Sequence, residues 1–363
     1  MKSNKNMSLL NIGRGVAMLM AGWLVLSCSE KEQGLYQAPE FKVSENRVFE
    51  LSPQEINVQL TRGFFHYRDR YIVVGLYDME YFVQVFDEQM NLLTACVRRG
   101  RGPREIHTCK SPHLNVKAGE LSLYDYMMKK MVVVDLDKVE QLGEDAVWDV
   151  DIDDLPLLRA ECAYLIQGNY LIENRFSGSD AADGLSRFTY LSAEDGSWLA
   201  DCDASPAVGP TEGLMLYAFP NVSFSADDSS WVIGACNGSI LEHFSLKDNT
   251  ITADWTKYFY PSDMESHLND ICHSETPLGF SDICLTDDAV YAIVEFEKPN
   301  SYLCSEDFAG DIYMDVAIFN LDGSPRKIIH TDCRMHEILV EGETLYAIVS
   351  TVEGELHLAR FKL

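Results

Sequence analysis

Basic residues are scarce in this chain: 29 Lys and Arg stand against 57 Asp and Glu among 363 residues, a formal net charge of −28. That deficit excludes nucleic acid and bare anionic membrane as partners, since both repel such a surface. Helical periodicity is almost absent from residue 40 onward, which excludes bundles and α/β folds. The signatures of common enzyme classes are missing too. The chain has no Gly-x-Ser-x-Gly elbow, no His-Glu-x-x-His and no glycine-rich phosphate loop opening a helix. Its cysteines show neither Cys-x-x-Cys nor a Cys/His zinc spacing. The run Asp149–Asp154 imitates the start of an EF-hand loop but lacks the glycine at its sixth position and the glutamate at its twelfth, and reads as an outer strand.

Long apolar runs are confined to the N-terminus. Lys2, Lys5 and Arg14 precede the apolar run 15–27, which ends in Val25-Leu26-Ser27-Cys28. A charged leader followed by so short an apolar run is a cleaved export segment rather than a spanning helix. A small residue before cysteine is the pattern at which bacterial lipoprotein processing diacylates the thiol and cleaves ahead of it. Residues 1–27 are therefore read as a lipoprotein signal peptide, Cys28 as the lipidated N-terminus and residues 28–39 as a polar, acidic tether. The expected address is the cell envelope, as an outer-membrane lipoprotein on its periplasmic or surface side. Of the remaining cysteines, Cys162, Cys236 and Cys284 sit in apolar strand-like runs and are expected as small buried hydrophobes. Loop cysteines such as Cys272 and Cys304 leave room for a disulfide in an exported protein.

Short alternating strands, separated by Asp, Gly, Asn and Ser turns, fill the rest. Aligning them shows six units. Tyr71–Gly75 goes with Val83–Phe86, Leu121–Tyr124 with Val132–Asp135, and Tyr170–Glu173 with Phe188–Tyr190. Trp231–Gly234 goes with Leu241–Phe244, Tyr291–Val294 with Val316–Phe319, and Tyr346–Val349 with Leu358–Phe361. The spacing suits a four-stranded blade, so residues 40–363 are expected to form an all-β, six-bladed β-propeller. The last unit ends one strand short, at Leu363. The strand-like segment Glu40–Ser52 is expected to pair there and close the ring, removing an exposed sheet edge.

Between the first two units lies Arg98-Arg-Gly-Arg-Gly-Pro-Arg-Glu105. Gly100, Gly102, Pro103 and Glu105 resemble the Gly-x-Gly-Pro-Gly-Glu signature of TolB-like six-bladed propeller lipoproteins of Bacteroidetes type. Arg104 stands where the pattern has its further glycine. The resemblance implies a propeller, an envelope location and a binding role, and carries no catalytic residues. The segment Ser29–Gln33 resembles the acidic export stretch of such lipoproteins.

Alternation of strand direction puts the connections from second to third strand, and from fourth strand to the next blade, on one face. The long segments 100–112, 177–184, 204–220, 260–279 and 297–311 all belong to it, and long loops on a rigid scaffold are where binding resides. Three groups on this face are candidates. Arg98, Arg99, Arg101 and Arg104 either hold a carboxylate, sulfate or phosphate, or pair with neighbouring acids and stiffen their loop. Tyr217, Phe219, Tyr260, His267, His273, Tyr302 and Phe308 offer aromatic area to a sugar or peptide. The residues expected to open the inner strands are His66, His113, Glu161, Asn221, Asp282 and His336. Among them Glu161, Asn221 and Asp282 resemble in type the oxygen ligands of gluconolactonase-like propellers, which would take a divalent cation such as calcium.

The leading expectation is a lipid-anchored envelope propeller that binds a glycan, a peptide or an envelope protein without catalysis and without a cofactor. A metal-dependent hydrolase or lactonase, and a scaffold subunit of an outer-membrane assembly, are the alternatives.

Overall fold

A computed structural model describes residues 39–46, 50–56, 60–76, 80–152, 155, 160–174, 186–203, 221–235, 239–260, 275, 278–296, 299, 314–331, 333–351 and 354–363. Two strands precede the first blade, β1 (Lys42–Asn46) and β2 (Glu50–Glu55). Blade 1 comprises β3 (Thr61–Tyr67), β4 (Arg70–Gly75), β5 (Tyr81–Asp87) and β6 (Leu92–Arg98). Blade 2 comprises β7 (Ser111–Asn115), β8 (Glu120–Asp125), β9 (Lys130–Asp135) and β10 (Val147–Val150). The short helix α1 (Val139–Leu142) and the 3₁₀ turn Gly143–Ala146 connect its last two strands. Blade 3 comprises β11 (Ala160–Ile166), β12 (Asn169–Asn174), β13 (Phe188–Ser192) and β14 (Trp198–Cys202). Blade 4 comprises β15 (Asn221–Phe224), β16 (Ser230–Gly234), β17 (Ile240–Lys247) and β18 (Thr250–Tyr258). Blade 5 comprises β19 (Phe280–Leu285), β20 (Ala289–Val294), β21 (Asp315–Asn320) and β22 (Pro325–His330). Blade 6 comprises β23 (Arg334–Glu341), β24 (Thr344–Ser350) and β25 (Leu356–Lys362).

The expected six-bladed propeller is the observed fold. Every blade is an antiparallel meander, and the innermost strands β3, β7, β11, β15, β19 and β23 surround one axis. Alternating side chains explain why. The second and third strands of each blade are apolar on both faces because each face meets a neighbouring blade, so Ile72, Val73 and Val74 are all fully covered. Each of the six blade interfaces holds its own apolar cluster. That between blades 3 and 4 stacks Trp231 on Phe244, with centroids 5.5 Å apart, and sets Phe188 edge-on to both.

The ring closes as the sequence leads one to expect, with a refinement. The fourth strand of blade 6 is β2, antiparallel to β25 through Glu50↔Arg360 and Leu51↔Ala359. The earlier half of the same N-terminal segment, β1, goes elsewhere and adds a fifth strand to blade 5, parallel to β22. The N-terminal arm thus ties two blades rather than one.

Tight turns on the lower face take their conformation from residue type. Gln167-Gly168 and Asp248-Asn249 each carry two successive positive φ angles, the pattern of two-residue hairpins whose twist matches the strands. Asp149 and Val150 lie in β10, an outer strand as read. Cys96, Cys109, Cys162 and Cys284 are buried free thiols, and burial pushes the Cys162 and Cys284 thiols up to about 12. Cys28, Cys236, Cys272 and Cys304 lie outside the described residues.

Candidate functional site

The inner strands do not enter the axis regularly. In four of them an extra residue interrupts pairing near the start: Arg62 in β3, Glu161 in β11, Ser281 in β19 and His336 in β23. Such bulges re-aim the side chains beside them. Here they recur at the end of the channel from which the inner strands start, the face carrying the ends of all five long connections. A cavity of about 230 Å³ lies along the axis, lined by residues of all six inner strands. Arg62, Lys110, Asn221, Asp282 and Glu337 line its upper part, while Phe65, Tyr164 and Phe224 supply aromatic wall.

These polar groups form one network. Arg62 donates from Nε to the Lys110 carbonyl at 2.7 Å and from Nη1 to Asn221 Oδ1 at 3.0 Å. Asn221 Nδ2 in turn donates to the Phe280 carbonyl at 2.5 Å. Lys110, only 2% exposed, pairs with Glu161 and sits 5.3 Å from the centre of the Tyr126 ring. Asp282 Oδ2 accepts the Ile338 amide at 2.7 Å. Burial pushes the Asp282 carboxyl up to about 7, against the Ile338 and Ile283 amides and the Arg62 guanidinium, which pull it down. Burial, and then the Asp282 carboxylate, hold Glu337 well above the usual carboxylate range. A second buried set adjoins it between blades 3 and 4. Arg187 spans Glu242 at 3.0 and 2.9 Å and reaches Glu173 at 3.7 Å, and burial raises Glu173 despite Arg187.

Of the sequence candidates, Asn221 and Asp282 line this cavity, while Glu161 stands behind it and pairs with the lining Lys110. His113 lies deeper, paired through Nε2 with Asp228 at 2.9 Å and edge-on to Phe224. His66 lines the far end and bonds Glu341 at 2.5 Å. His336 does not line the cavity; its bulge yields that place to Glu337, and its Nε2 is buried without a hydrogen-bond partner among the described residues. Tyr260 packs against Phe296, 5.5 Å between centroids, beside the core of blades 4 and 5. Tyr217, Phe219, His267, His273, Tyr302 and Phe308 lie outside the described residues.

The arginine cluster divides. Arg98 pairs with Glu144 at 2.6 Å, and Arg104 with Asp145 at 2.9 Å, so both bind the helical connection of blade 2. Arg101 is exposed, and Arg99 pairs its backbone with Ile106. Arg62, Lys110 and Glu337 were missed from sequence, as were Arg187, Glu173 and Glu242. The available signal was a charge inside an apolar strand run, as in Thr61-Arg-Gly-Phe-Phe65.

A calcium-like ion fits these residues poorly. Arg62 already occupies the Asn221 oxygen and Lys110 that of Glu161. Among the described residues, no group of three or more His, Cys, Asp or Glu is placed to hold a metal ion.

With the site in view, comparison with solved structures shows what the chain is like. A Bacteroides fragilis protein described as exported superposes with a TM-score of 0.57 at 10% identity, over 91% of this chain and 99% of that one. A member of the DUF4221 family from Bacteroides vulgatus does so at 0.52 and 10%, over 88% and 99%. The likeness is one of fold. A gluconolactonase from Xanthomonas campestris reaches only 0.47 at 13% identity, over 85% and 88%, too little to bear on chemistry. No family model and no curated protein matches the chain.

Proposed function

We propose that this chain is an exported, lipid-anchored envelope propeller that binds a polar partner at its channel mouth and does no chemistry on it. The carrying observation is the mouth itself: Arg62, Lys110, Asp282 and Glu337, brought by four of the six blades and partly or wholly covered, stand with Asn221 around one cavity on the face where the long connections end. Burying such groups is costly, and perturbed ionisable groups gathered in a cleft mark functional sites. The occupant is one polar group of a glycan fragment, a peptide or an envelope protein, since the cavity is smaller than a drug-sized pocket. The exported Bacteroides neighbours support the address, and the Gly100–Glu105 loop supports the closer kinship with TolB-like lipoproteins. Among the described residues no helix is long and apolar enough to cross a membrane.

The test is a thermal-shift panel on the detergent-extracted protein, with neutral, acidic and amino oligosaccharides, short peptides and divalent metals. A ligand at 100 times its Kd stabilises by about 2.7 kcal/mol. Stabilisation by a glycan or peptide, lost in Asp282→Ala, supports the binding site. A shift with calcium that disappears in a Glu161→Ala/Asp282→Ala variant would restore the metal-dependent hydrolase. The address is checked by palmitate labelling: Cys28→Ala loses the label if Cys28 is the acylated residue, and keeps it if the anchor lies elsewhere.

A further inference from the structure

The buried charges around the mouth do not balance. Arg62, Lys110 and Arg187 supply the cations, while Glu161, Asp282, Glu337, Glu173 and Glu242 supply the carboxyl groups, an excess of two acids. Asp125 and Lys129, behind Cys109 and Ala160, add one group of each sign, and the buried Asp228 adds an acid paired with His113, so the excess is at least two. Arg62 is the cation set against both Asp282 and Glu337 among the described residues. These two face Arg62 of β3, the Thr61 side chain, the Ile283 and Ile338 amides, and each other.

Protein interiors do not carry uncompensated charge, so the free protein makes good the imbalance with protons. Among these acids, burial raises the carboxyls of Asp282, Glu337 and Glu173. Two of them, Asp282 and Glu337, lie on the wall of the cavity. A proton held beside an axial cavity is a place-holder that another cation of one charge can displace. Phe65, Tyr164 and Phe224 on the same wall favour an organic cation over a hydrated ion, because aromatic faces attract ammonium and guanidinium groups. The net charge of −28 steers such a ligand inward.

We infer that the channel mouth takes a ligand bearing a primary ammonium group, for which an amino sugar is the probe, and that it replaces protons shared by Asp282 and Glu337. This rests on the binding function proposed above and narrows its ligand. The balance is simple: the ligand enters charged, a carboxyl gives its proton to solvent, and the carboxylate formed pairs with the ammonium.

Isothermal titration of the detergent-extracted protein with a glucosamine tetramer, its fully N-acetylated form and a galacturonate tetramer tests it, at pH 5.0 and 6.0, where the amine is charged, in buffers of different ionisation heat. The expected result is at least tenfold tighter binding of the amine than of the acetylated form, with proton release. Affinity should rise with pH by up to about tenfold per unit for each proton released. Glu337→Gln, with folding verified by its thermal transition, should lower the proton count, and Asp282→Asn likewise. Equal binding of amine and acetylated tetramers overturns the inference and leaves the binding function standing. Tighter galacturonate with proton uptake reverses its sign and overturns it. Silence from all three overturns it, and silence across the wider panel removes the binding function as well.

Discussion

Glu105 folds its carboxylate back over the loop that precedes it and accepts the Gly102 amide at 2.7 Å. The same carboxylate lies where a Cβ on Gly100 or Gly102 would fall, 2.0 and 2.9 Å from the two built positions. Lys130 donates to the Gly102 carbonyl at 2.6 Å and pairs with Asp149 at 2.8 Å, tying the loop to blade 2. The motif that most resembles a known family is therefore a structural latch between blades 1 and 2. Its glycines are required by contact with a carboxylate.

Gly100→Ala should accordingly destabilise the fold by about 1–3 kcal/mol, the usual cost of overpacking. Urea denaturation of the single variant and of Gly100→Ala/Glu105→Ala measures it. The double variant should lose less than the two single changes together, because removing the carboxylate makes room for the methyl group. Additive losses would show that the crowding lies elsewhere.

Arg104 sits at φ 60°, the left-handed region in which the resembled pattern has glycine. Its amide is held by both Asp149 oxygens, at 2.9 and 3.0 Å, which fixes a conformation a side chain resists. Arg104→Gly relieves the strain but gives up the exposed pair with Asp145, so it should be neutral or stabilising by up to about 1 kcal/mol. Asp149→Ala should cost about 1 kcal/mol in the parent and less on the Arg104→Gly background. Equal costs on both backgrounds would separate Asp149 from the backbone strain.

The blades were legible because period-2 apolar runs survive any uncertainty of a residue or two at their ends. All six central hairpins, from Tyr71 with Phe86 to Tyr346 with Arg360, pair as the sequence leads one to expect. The channel depends on single-residue register, and there one extra residue changes which side chain faces the axis. His336 and Glu337 show the consequence: sequence favours the histidine, the bulge in β23 gives the lining to the glutamate. The sequence points to His66 and His113, although Arg62 and Lys110, four and three positions earlier, stand at the mouth. Glu161, Asn221 and Asp282 were found because they occur where an apolar strand begins, a position sequence does expose.

His336 should leave a mark on stability against pH. Burial, and next the charge of Arg334, lower its pKa from 6.5 to about 4. The unfolded chain then binds a proton below pH 6.5 that the folded one refuses until about pH 4. Its contribution is constant above 6.5 and is lost as pH falls through that window, by at most about 3 kcal/mol. Asp282 and Glu337 act in the opposite sense, being raised, so the parent curve alone does not isolate it. The difference between the parent and His336→Phe, from denaturant midpoints at pH 4.0, 5.0, 6.0 and 7.0, does. It should grow steadily in favour of the variant toward acid, and a flat difference would show that His336 ionises freely in the fold.

Lys110 and Glu161 test whether the mouth is held by paired charge or by packing. Lys110 is covered and Glu161 nearly so, and the pair links blade 2 to blade 3 at the channel. Lys110→Met leaves the Glu161 carboxylate beside Glu173 without its cation, and should destabilise by about 3–5 kcal/mol. Glu161→Gln strands the ammonium instead and should cost a similar amount. Removing both charges together restores neutrality with side chains of like volume, so Lys110→Met/Glu161→Gln should recover most of the loss, as replaced buried ion pairs often do. Chemical denaturation of the four proteins gives the coupling directly. A double variant as unstable as the sum of the singles would mean that Lys110 serves chiefly the wider network, through Arg62 at its carbonyl and Glu173 behind it.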